Sequence, residues 1–332
     1  MHHSTDIAHR FHVARGDGHA LDPGPLAGSV VAIGNFDGVH RGHRAVIEAA
    51  QTRAQALGVK AAALTFEPHP RAFFRPQEPL FQLSTPRNKL RLLAATGLDG
   101  AVVMNFDAAL AATEAEDFIA HILKGRLRIA GAAIGFDFHF GKDRKGSPRY
   151  LAEQGAKLGF AVDIVPPLED EGRPVSSGAV RQALAAGRVV EAAELLGAPW
   201  FVSGTVIHGD KRGRELGFPT ANIRLDPTCG LKHGIYAVRV CIGGRLHDGV
   251  ASFGRRPMFD DGAPLLEVFL FDFADDLYGQ EIDVAFIGWL RHEQKFESIE
   301  ALKRAMDADS AQARDALKRA HGAFPALGDV AD

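Results

Sequence analysis

His40 and His43 lie three residues apart in the run SVVAIGNFDGVHRGH, residues 29–43. On one helical turn, at the positive end of a helix dipole, two imidazoles at this spacing can touch one phosphate. Gly34, Gly38 and Gly42 free the intervening loop, with its Asn35 and Phe36, to turn sharply or approach a ligand. A pair of solvated histidines in a glycine-rich turn is the plainer alternative, and the apolar run before the loop favours the anion site. A second set follows a glycine- and base-rich loop containing Gly209, Lys211, Gly213 and Arg214. In Pro219-Thr220-Ala221-Asn222, an extended backbone would put Thr220 and Asn222 on one face as hard, neutral oxygen ligands for Mg²⁺. A simple turn explains Thr-x-Asn equally well. The third candidate is Glu267 in Leu-Leu-Glu-Val-Phe-Leu-Phe, residues 265–271. A carboxylate in an apolar strand needs a partner or a task. Alternation puts it on the face of Phe269 and Phe271, which could wall an aromatic pocket; an edge-strand Glu paired with Lys or Arg is the alternative.

These residues need two kinds of scaffold. Residues 30–33 form an apolar run without polar alternation, as a strand buried on both faces requires. Further strands are expected at 61–66, 100–104, 132–134 and 161–165. Helices are expected at 41–57, 85–95, 115–123, 150–157 and 178–186. This alternation predicts an α/β domain built on a parallel sheet. Residues 135–141, GFDFHFG, follow one of its strands and belong at the carboxyl edge, where open α/β sheets bind ligands; aromatic packing under a loop is the alternative. Residues 175–181, VSSGAVR, place Ser176 and Ser177 at a helix N-terminus with Arg181 one turn along. They suit a triphosphate, although a serine cap alone would explain the hydroxyls. From residue 200 the texture changes to strand-like runs at 200–207, 234–242, 246–253, 265–273 and 281–290. Gly, Asp and Pro turns separate them, so the second domain reads as an antiparallel β-barrel. Ser298 is placed to cap a terminal helix whose Ile299, Leu302 and Met306 face the barrel. The expected domains are an N-terminal extension at 1–27, an α/β domain at 28–190, a linker at 191–199, the barrel domain at 200–325 and a tail at 326–332.

The chain has 332 residues, 46% hydrophobic and 24% charged, enough for two cores. A net charge of −3 without a long Lys/Arg block argues against nucleic acid as a partner. No apolar run reaches membrane-spanning length, and the N-terminus lacks an apolar signal core, so the expected location is the cytoplasm. Cys229 and Cys241 form no metal-ligand motif and read as unpaired small residues.

Gly34-Asn35-Phe36-Asp37-Gly38-Val39-His40-Arg41-Gly42-His43 resembles the HxGH signature of the nucleotidylyltransferases. In its Asn-Phe-Asp-Gly-Val-His form it is similar to the bacterial bifunctional riboflavin kinase/FAD synthetases. Residues 217–222, GFPTAN, resemble the GxPTAN motif of riboflavin kinases, and the segments at 276–279 and 290–298 follow the same family. The resemblance runs from about residue 28 to 320. It implies a Rossmann-like HxGH domain followed by a riboflavin-kinase barrel, which phosphorylate riboflavin to FMN and adenylylate FMN to FAD. Riboflavin, FMN and ATP are the implied small-molecule partners, with Mg²⁺ as cofactor. It implies catalytic roles for Glu267, His40 and His43 and metal ligation by Thr220 and Asn222. It implies ATP or phosphate binding by Gly34, Asn35, Phe36, Gly38, Ser176, Ser177, Arg181, Gly209, Lys211, Gly213 and Arg214. Flavin contacts fall to Asp137, Phe138, Phe269 and Arg291. Three positions depart from the family pattern: Gly178 for Thr, Met258 for Thr and His292 for Pro.

Overall fold

The computed structural model describes residues 10–17, 20–170, 172–208, 218–255 and 264–330. Cα packing divides the chain into two units. The first comprises residues 1–80, 84–175 and 326–332, and the second 81–83 and 176–325. Gly209, Lys211, Gly213, Arg214 and Met258 lie outside the described residues.

The N-terminal unit carries β1 (His12–Gly16), β2 (Val30–Ile33), α1 (Arg41–Leu57), β3 (Ala61–Glu67), α2 (Pro70–Phe74), α3 (Pro86–Ala94) and β4 (Gly100–Asn105). It continues through α4 (Ala108–Ala112), α5 (Ala115–Asp117), β5 (Gly131–Gly135), α6 (Pro148–Leu158), β6 (Ala161–Val165) and a small hairpin of β7 (Glu169–Asp170) and β8 (Arg173–Pro174). Six strands form one parallel sheet in the order β1-β4-β3-β2-β5-β6. The chain winds from β2 towards β4 and then crosses to β5, so the topological switch lies between β2 and β5. Every residue of β2 is at most 2% exposed, as its unbroken apolar run requires.

Two differences from the sequence expectation stand out here. Part of the segment expected as an extension supplies β1, which pairs from His12 to Gly16 with β4 at the sheet edge. An edge strand is paired on one side only, so it can be built from HVARG without an apolar run. The helix expected at 115–123 passes after α5 into a π-helix, Phe118–Arg126. Its wider turn is closed by the Leu127 N–H donating to the Ile122 carbonyl at 3.0 Å.

The C-terminal unit begins earlier than the barrel itself. It contains α7 (Ser177–Ala185) and α8 (Val189–Leu196), then β9 (Phe201–Thr205), β10 (Thr220–Arg224), β11 (Gly234–Ile242), β12 (Arg245–Arg255), β13 (Pro264–Leu270), β14 (Glu281–Arg291) and α9 (Ile299–Arg319). The segment expected to finish the first domain thus packs with the barrel: the Lys232 N–H bonds the Leu184 carbonyl at 3.1 Å. Six antiparallel strands run in the order β10-β13-β12-β11-β14-β9. A single bridge between Ile207 and Asn222 brings the two edges together, nearly closing the barrel. Ile223, Leu266 and Phe253 form one inward-facing row across three strands, each 0% exposed. Trp200 is 3% exposed and donates its indole N–H to the Leu83 carbonyl at 2.8 Å.

α9 lies against the outer face of the strands. Ser298 caps it by accepting from the Ala301 N–H at 3.1 Å, as expected. Ile299 departs from the expected face and is 60% exposed, because the first helical turn precedes the packed stretch; Asp309, Ala313 and Leu317 are the buried positions. Arg239, 5% exposed, donates to the carbonyls of Leu317 in the last turn of the helix and of Ala320 and Ala323 just after it.

Both tryptophans, Trp200 and Trp289, belong to the C-terminal unit. Leu266→Ala is therefore expected to lower the denaturant midpoint seen by tryptophan fluorescence, with a loss of about 2–5 kcal/mol for an emptied core position. An unchanged midpoint would mean that the barrel interior is not packed around this residue.

Candidate functional sites

The first site starts where β2 ends. The Gly34 N–H bonds the Leu64 carbonyl at 3.1 Å, and the Thr65 hydroxyl donates to the Asn35 carbonyl at 3.2 Å. The chain then turns steeply. Phe36, Gly38 and Val39 have φ values of 50°, 79° and 43°. The left-handed region suits Gly38 but strains a β-branched residue such as Val39. Burial holds the turn in place, with Phe36 at 1% and Val39 at 0% exposure. Asp37, 2% exposed, accepts from the Ser84 N–H at 3.1 Å, and the Gly38 N–H donates to the Ser84 hydroxyl at 3.1 Å.

This turn delivers His40 as the N-cap of α1. Its Nδ1 accepts from the His43 N–H at 3.2 Å. The two rings stack with centroids 3.6 Å apart and planes at 18°, while Phe36 meets His43 edge-on at 5.3 Å. Gly42 makes the stack possible: a Cβ there would come within 3.2 Å of both the His40 ring and the Val175 carbonyl. The hydrogen bonding also assigns the tautomers. His40 accepts at Nδ1, so in its neutral form the proton is on Nε2. His43 Nδ1 is buried without a hydrogen-bond partner, and a proton there would be an orphaned donor, so His43 also carries its proton on Nε2. Burial, first, and then the positive fields of His40 and Lys89 hold the His43 imidazole well below its ordinary pKa. His43 thus presents a neutral N–H donor beside a helix N-terminus, with the His40 ring stacked against it, a combination suited to phosphate oxygens.

The β5 loop leaves the sheet at the same edge, since Ile33 pairs with Ile134. Asp137 is exposed there. Phe138 is half-buried and stacks on Phe140 at 5.6 Å. Sequence reasoning missed a larger aromatic group at the ends of β3 and β4. Phe73, Phe74 and Phe106 meet edge-on within 5.3–5.6 Å, and Phe74 is 62% exposed. The Phe-Phe pair after Pro70 was its available signal.

Ser176, Ser177 and Arg181 belong to the C-terminal unit. Ser176 is the N-cap of α7, accepting from the Ala179 N–H at 3.2 Å. Ser177 opens the helix, and Arg181 donates through Nε to the Phe81 carbonyl at 2.5 Å. A Cβ at Gly178 would meet nothing nearer than the Ser176 hydroxyl at 3.6 Å, so packing does not require glycine there.

The second site is a cavity of about 290 Å³ on the outer face of the barrel, beneath α9. Thr220, Ser252, Glu267, Phe269, Arg291 and Met306 are among its walls. Strand register builds it. Asn222 pairs with Glu267, which pairs with Ser252, while Thr220 pairs with Phe269. Residues directly opposite share a face, so one row holds amide, carboxylate and hydroxyl. Asn222 is 4% exposed, and its Nδ2 donates to the Thr220 carbonyl at 3.2 Å. That bond fixes the amide, leaving Oδ1 buried without a hydrogen-bond partner, an acceptor suited to a hard cation.

Two expectations change in this cavity. Phe271 is not among its lining residues. β13 ends at Leu270 ahead of the left-handed Asp272, and Phe271 packs under Arg314 at 4.2 Å. Arg291 reaches the cavity, but both arms of its fork are held by Asp309 at 2.7 Å, so it also fastens α9. His292, the departure from proline, is exposed and meets Trp289 edge-on at 4.9 Å.

Comparison with known proteins follows this division. A family model described as FAD synthetase matches residues 23–179, and one described as riboflavin kinase matches 196–317. A bifunctional riboflavin kinase/FMN adenylyltransferase from Pseudomonas fluorescens is 43% identical over 288 residues, spanning 86% of this chain and 92% of that protein. The protein of the same description from Escherichia coli K12 is 40% identical over 298 residues, spanning 90% and 95%. That from Bacillus subtilis is 36% identical over 306 residues, spanning 89% and 94%. A crystal structure described as a macrolide-efflux protein from Streptococcus pneumoniae superposes with a TM-score of 0.78. It is 34% identical and spans 87% of this chain and 94% of that one. Among the described residues of the present chain, no helix is long and apolar enough to cross a membrane. With both domain families matched in order and relatives this similar over most of their length, the chain belongs to the bifunctional riboflavin kinase/FMN adenylyltransferase family.

Proposed function

We propose that the two reactions of the family, riboflavin to FMN and FMN to FAD, are carried by the two sites described above. The protein is a two-domain transferase whose C-terminal domain is the kinase and whose N-terminal domain is the adenylyltransferase. The observation that carries the assignment of residues is the cross-strand row of Asn222, Glu267 and Ser252, of which Glu267 and Ser252 line the cavity.

In the kinase domain, Glu267 takes the proton from the ribityl 5′-hydroxyl as its oxygen bonds to the γ-phosphorus of ATP and ADP leaves. Phe269 flanks the flavin, and Arg291 supports that wall through Asp309. Thr220 and Asn222 would hold Mg²⁺, a role the unpartnered Asn222 Oδ1 fits. When bound, the ion supplies neutralisation of phosphate charge. Gly209, Lys211, Gly213 and Arg214 are proposed phosphate contacts from the family resemblance.

In the adenylyltransferase domain, an FMN phosphate oxygen bonds to the α-phosphorus of ATP while the bond to pyrophosphate breaks. No covalent enzyme intermediate forms. The Nε2–H groups of His40 and His43 stabilise phosphate charge. The loop from Gly34 to Gly38, including Asn35 and Phe36, shapes their approach. Ser176, Ser177 and Arg181, which belong to the C-terminal unit, are proposed phosphate-binding groups from the family resemblance. Asp137 and Phe138 take the flavin, and the exposed Phe74 cluster provides a second aromatic surface for it. An ATP-consuming enzyme with two unpaired cysteines fits the cytoplasm.

Chromatography of flavins from riboflavin, ATP and Mg²⁺ tests the assignment. His43→Ala is expected to reduce FAD formation at least about 100-fold, on the scale of losing one oxyanion donor, with FMN formation retained. Intact FAD synthesis would remove His43 from the site. Glu267→Ala should do the reverse, losing FMN formation by about 100-fold or more while FAD still forms from supplied FMN. Asn222→Ala is expected to raise the Mg²⁺ concentration needed for half-maximal kinase activity; an unchanged Mg²⁺ titration would remove it as a ligand.

A further inference from the structure

At the sheet edge from which the HxGH loop departs lies a polar group that the reaction described above does not use. Lys89, on α3, is 3% exposed and its ammonium is paired with Glu67 Oε1. Glu67 ends β3, the strand beside β2 in the sheet, so the pair lies at the edge from which the HxGH loop departs. The start of α3 is tied to that loop through Ser84, whose backbone and side chain engage Asp37 and Gly38. Thr85 caps α3 by accepting from the Asn88 N–H at 3.2 Å, and the Lys89 N–H bonds the Thr85 carbonyl at 2.8 Å. The ammonium is thus held by a capped helix on one side and a carboxylate on the other. A lysine is seldom fully buried, and keeping its charge there requires such a partner.

We propose that Lys89, oriented by Glu67, is a positioning residue of the adenylyl-transfer site, a fixed positive charge beside His40 and His43 that biases the pair towards the polyphosphate of ATP. The charged and titratable groups around His43 are His40 from the loop, Arg44 from α1, Lys89 from α3 and, through Lys89, Glu67 from β3. Burial, first, and then the fields of His40 and Lys89 disfavour a proton on His43. Together they keep the imidazole a neutral donor towards ATP, while the neighbouring positive charge resides on Lys89. The sign follows directly: removing the Lys89 charge makes protonation of His43 easier and moves its titration upward in pH.

This inference rests on the reading that His43 contacts ATP phosphates, and the experiment separates the two. In the full-length protein, the His43 ring is titrated by NMR, and kcat/KM for ATP in FAD formation from FMN is measured against pH. Lys89→Met is expected to raise the His43 titration towards the ordinary imidazole range and to shift the pH profile the same way. It should lower kcat/KM for ATP most on the acid side of neutrality, where the raised titration protonates His43. Lys89→Arg should retain the wild-type profile. The double variant Glu67→Gln/Lys89→Met removes both charges and leaves no ion unpaired, so it guards against misfolding of the single variant. It should shift the profile in the same direction as Lys89→Met, without the added pull of an unpaired Glu67 carboxylate. Wild-type titration and pH profile in the double variant would overturn the inference while leaving the His43 reading intact. Unaltered FAD formation by His43→Gln would overturn both.

Discussion

A parallel strand covered on both faces has only its ends to offer to chemistry. β2 is such a strand, with every side chain enclosed, so anything polar that it positions must follow its carboxyl end. The chain must turn there from strand to helix within a few residues. The left-handed Phe36 and Val39 record that demand, at roughly 1–3 kcal/mol for each strained residue. Complete burial of both side chains and the Asp37–Ser84 hydrogen bonds stabilise the turn. Its product is a helix start capped by a histidine rather than by a serine or threonine, with a second histidine stacked on the first. Capping and the proposed phosphate binding thereby become two tasks of the same imidazole, one at each ring nitrogen.

The antiparallel barrel meets the same need differently. Its inward face is filled by Leu266, Val268, Leu270 and their partners, while the intervening Glu267 and Phe269 point outward. A one-residue slip of β13 would exchange these two sets, so core packing and site geometry are specified by the same register. The outward face alone would be open to water. α9 encloses it, and α9 is fastened at two places, by Arg239 on its terminal carbonyls and by the Arg291–Asp309 fork along its length. The ion pair is weak evidence for net stability. Its evident effect is geometric, in fixing the helix that forms the cavity roof.

This distinction explains what could be read from sequence. The expected bounds of residues 30–33, 41–57 and 234–242 coincide with β2, α1 and β11, because apolar runs and local capping specify them. The orientations of Glu267 and Phe269 followed from alternation, and Ser298 capped the helix it preceded. Failures came where a distant partner decides. β1 has no apolar signature because only β4 holds it. Phe271 lost its expected place through a left-handed turn beyond Leu270. Lys89, within PRNKLRLLA, has the local pattern of a solvated helix face; its burial depends on a carboxylate 22 residues away. Arg291, expected at the flavin from the resemblance, is held by an acidic partner 18 residues on, in α9.

The two sites also impose opposite electrostatic conditions on the same co-substrate. On the proposed reading, the histidines meet ATP with N–H donors and a helix N-terminus, both of which attract a polyphosphate directly. Among the described residues, the barrel cavity instead presents carboxylates of Glu267 and Glu293, the hydroxyls of Thr220 and Ser252, and a guanidinium already matched by Asp309. The adjacent Asn222 amide oxygen adds another acceptor. Such a set repels a bare triphosphate and attracts a cation. A carboxylate competent to take a proton from a hydroxyl must therefore work beside a group that reverses the local sign, whereas the histidine site can build that sign from its own side chains. This difference in polarity separates the His40–His43 pair from the Thr220, Asn222 and Glu267 set, although both sites are proposed to bind phosphate, the second with Lys211 and Arg214 of the preceding loop.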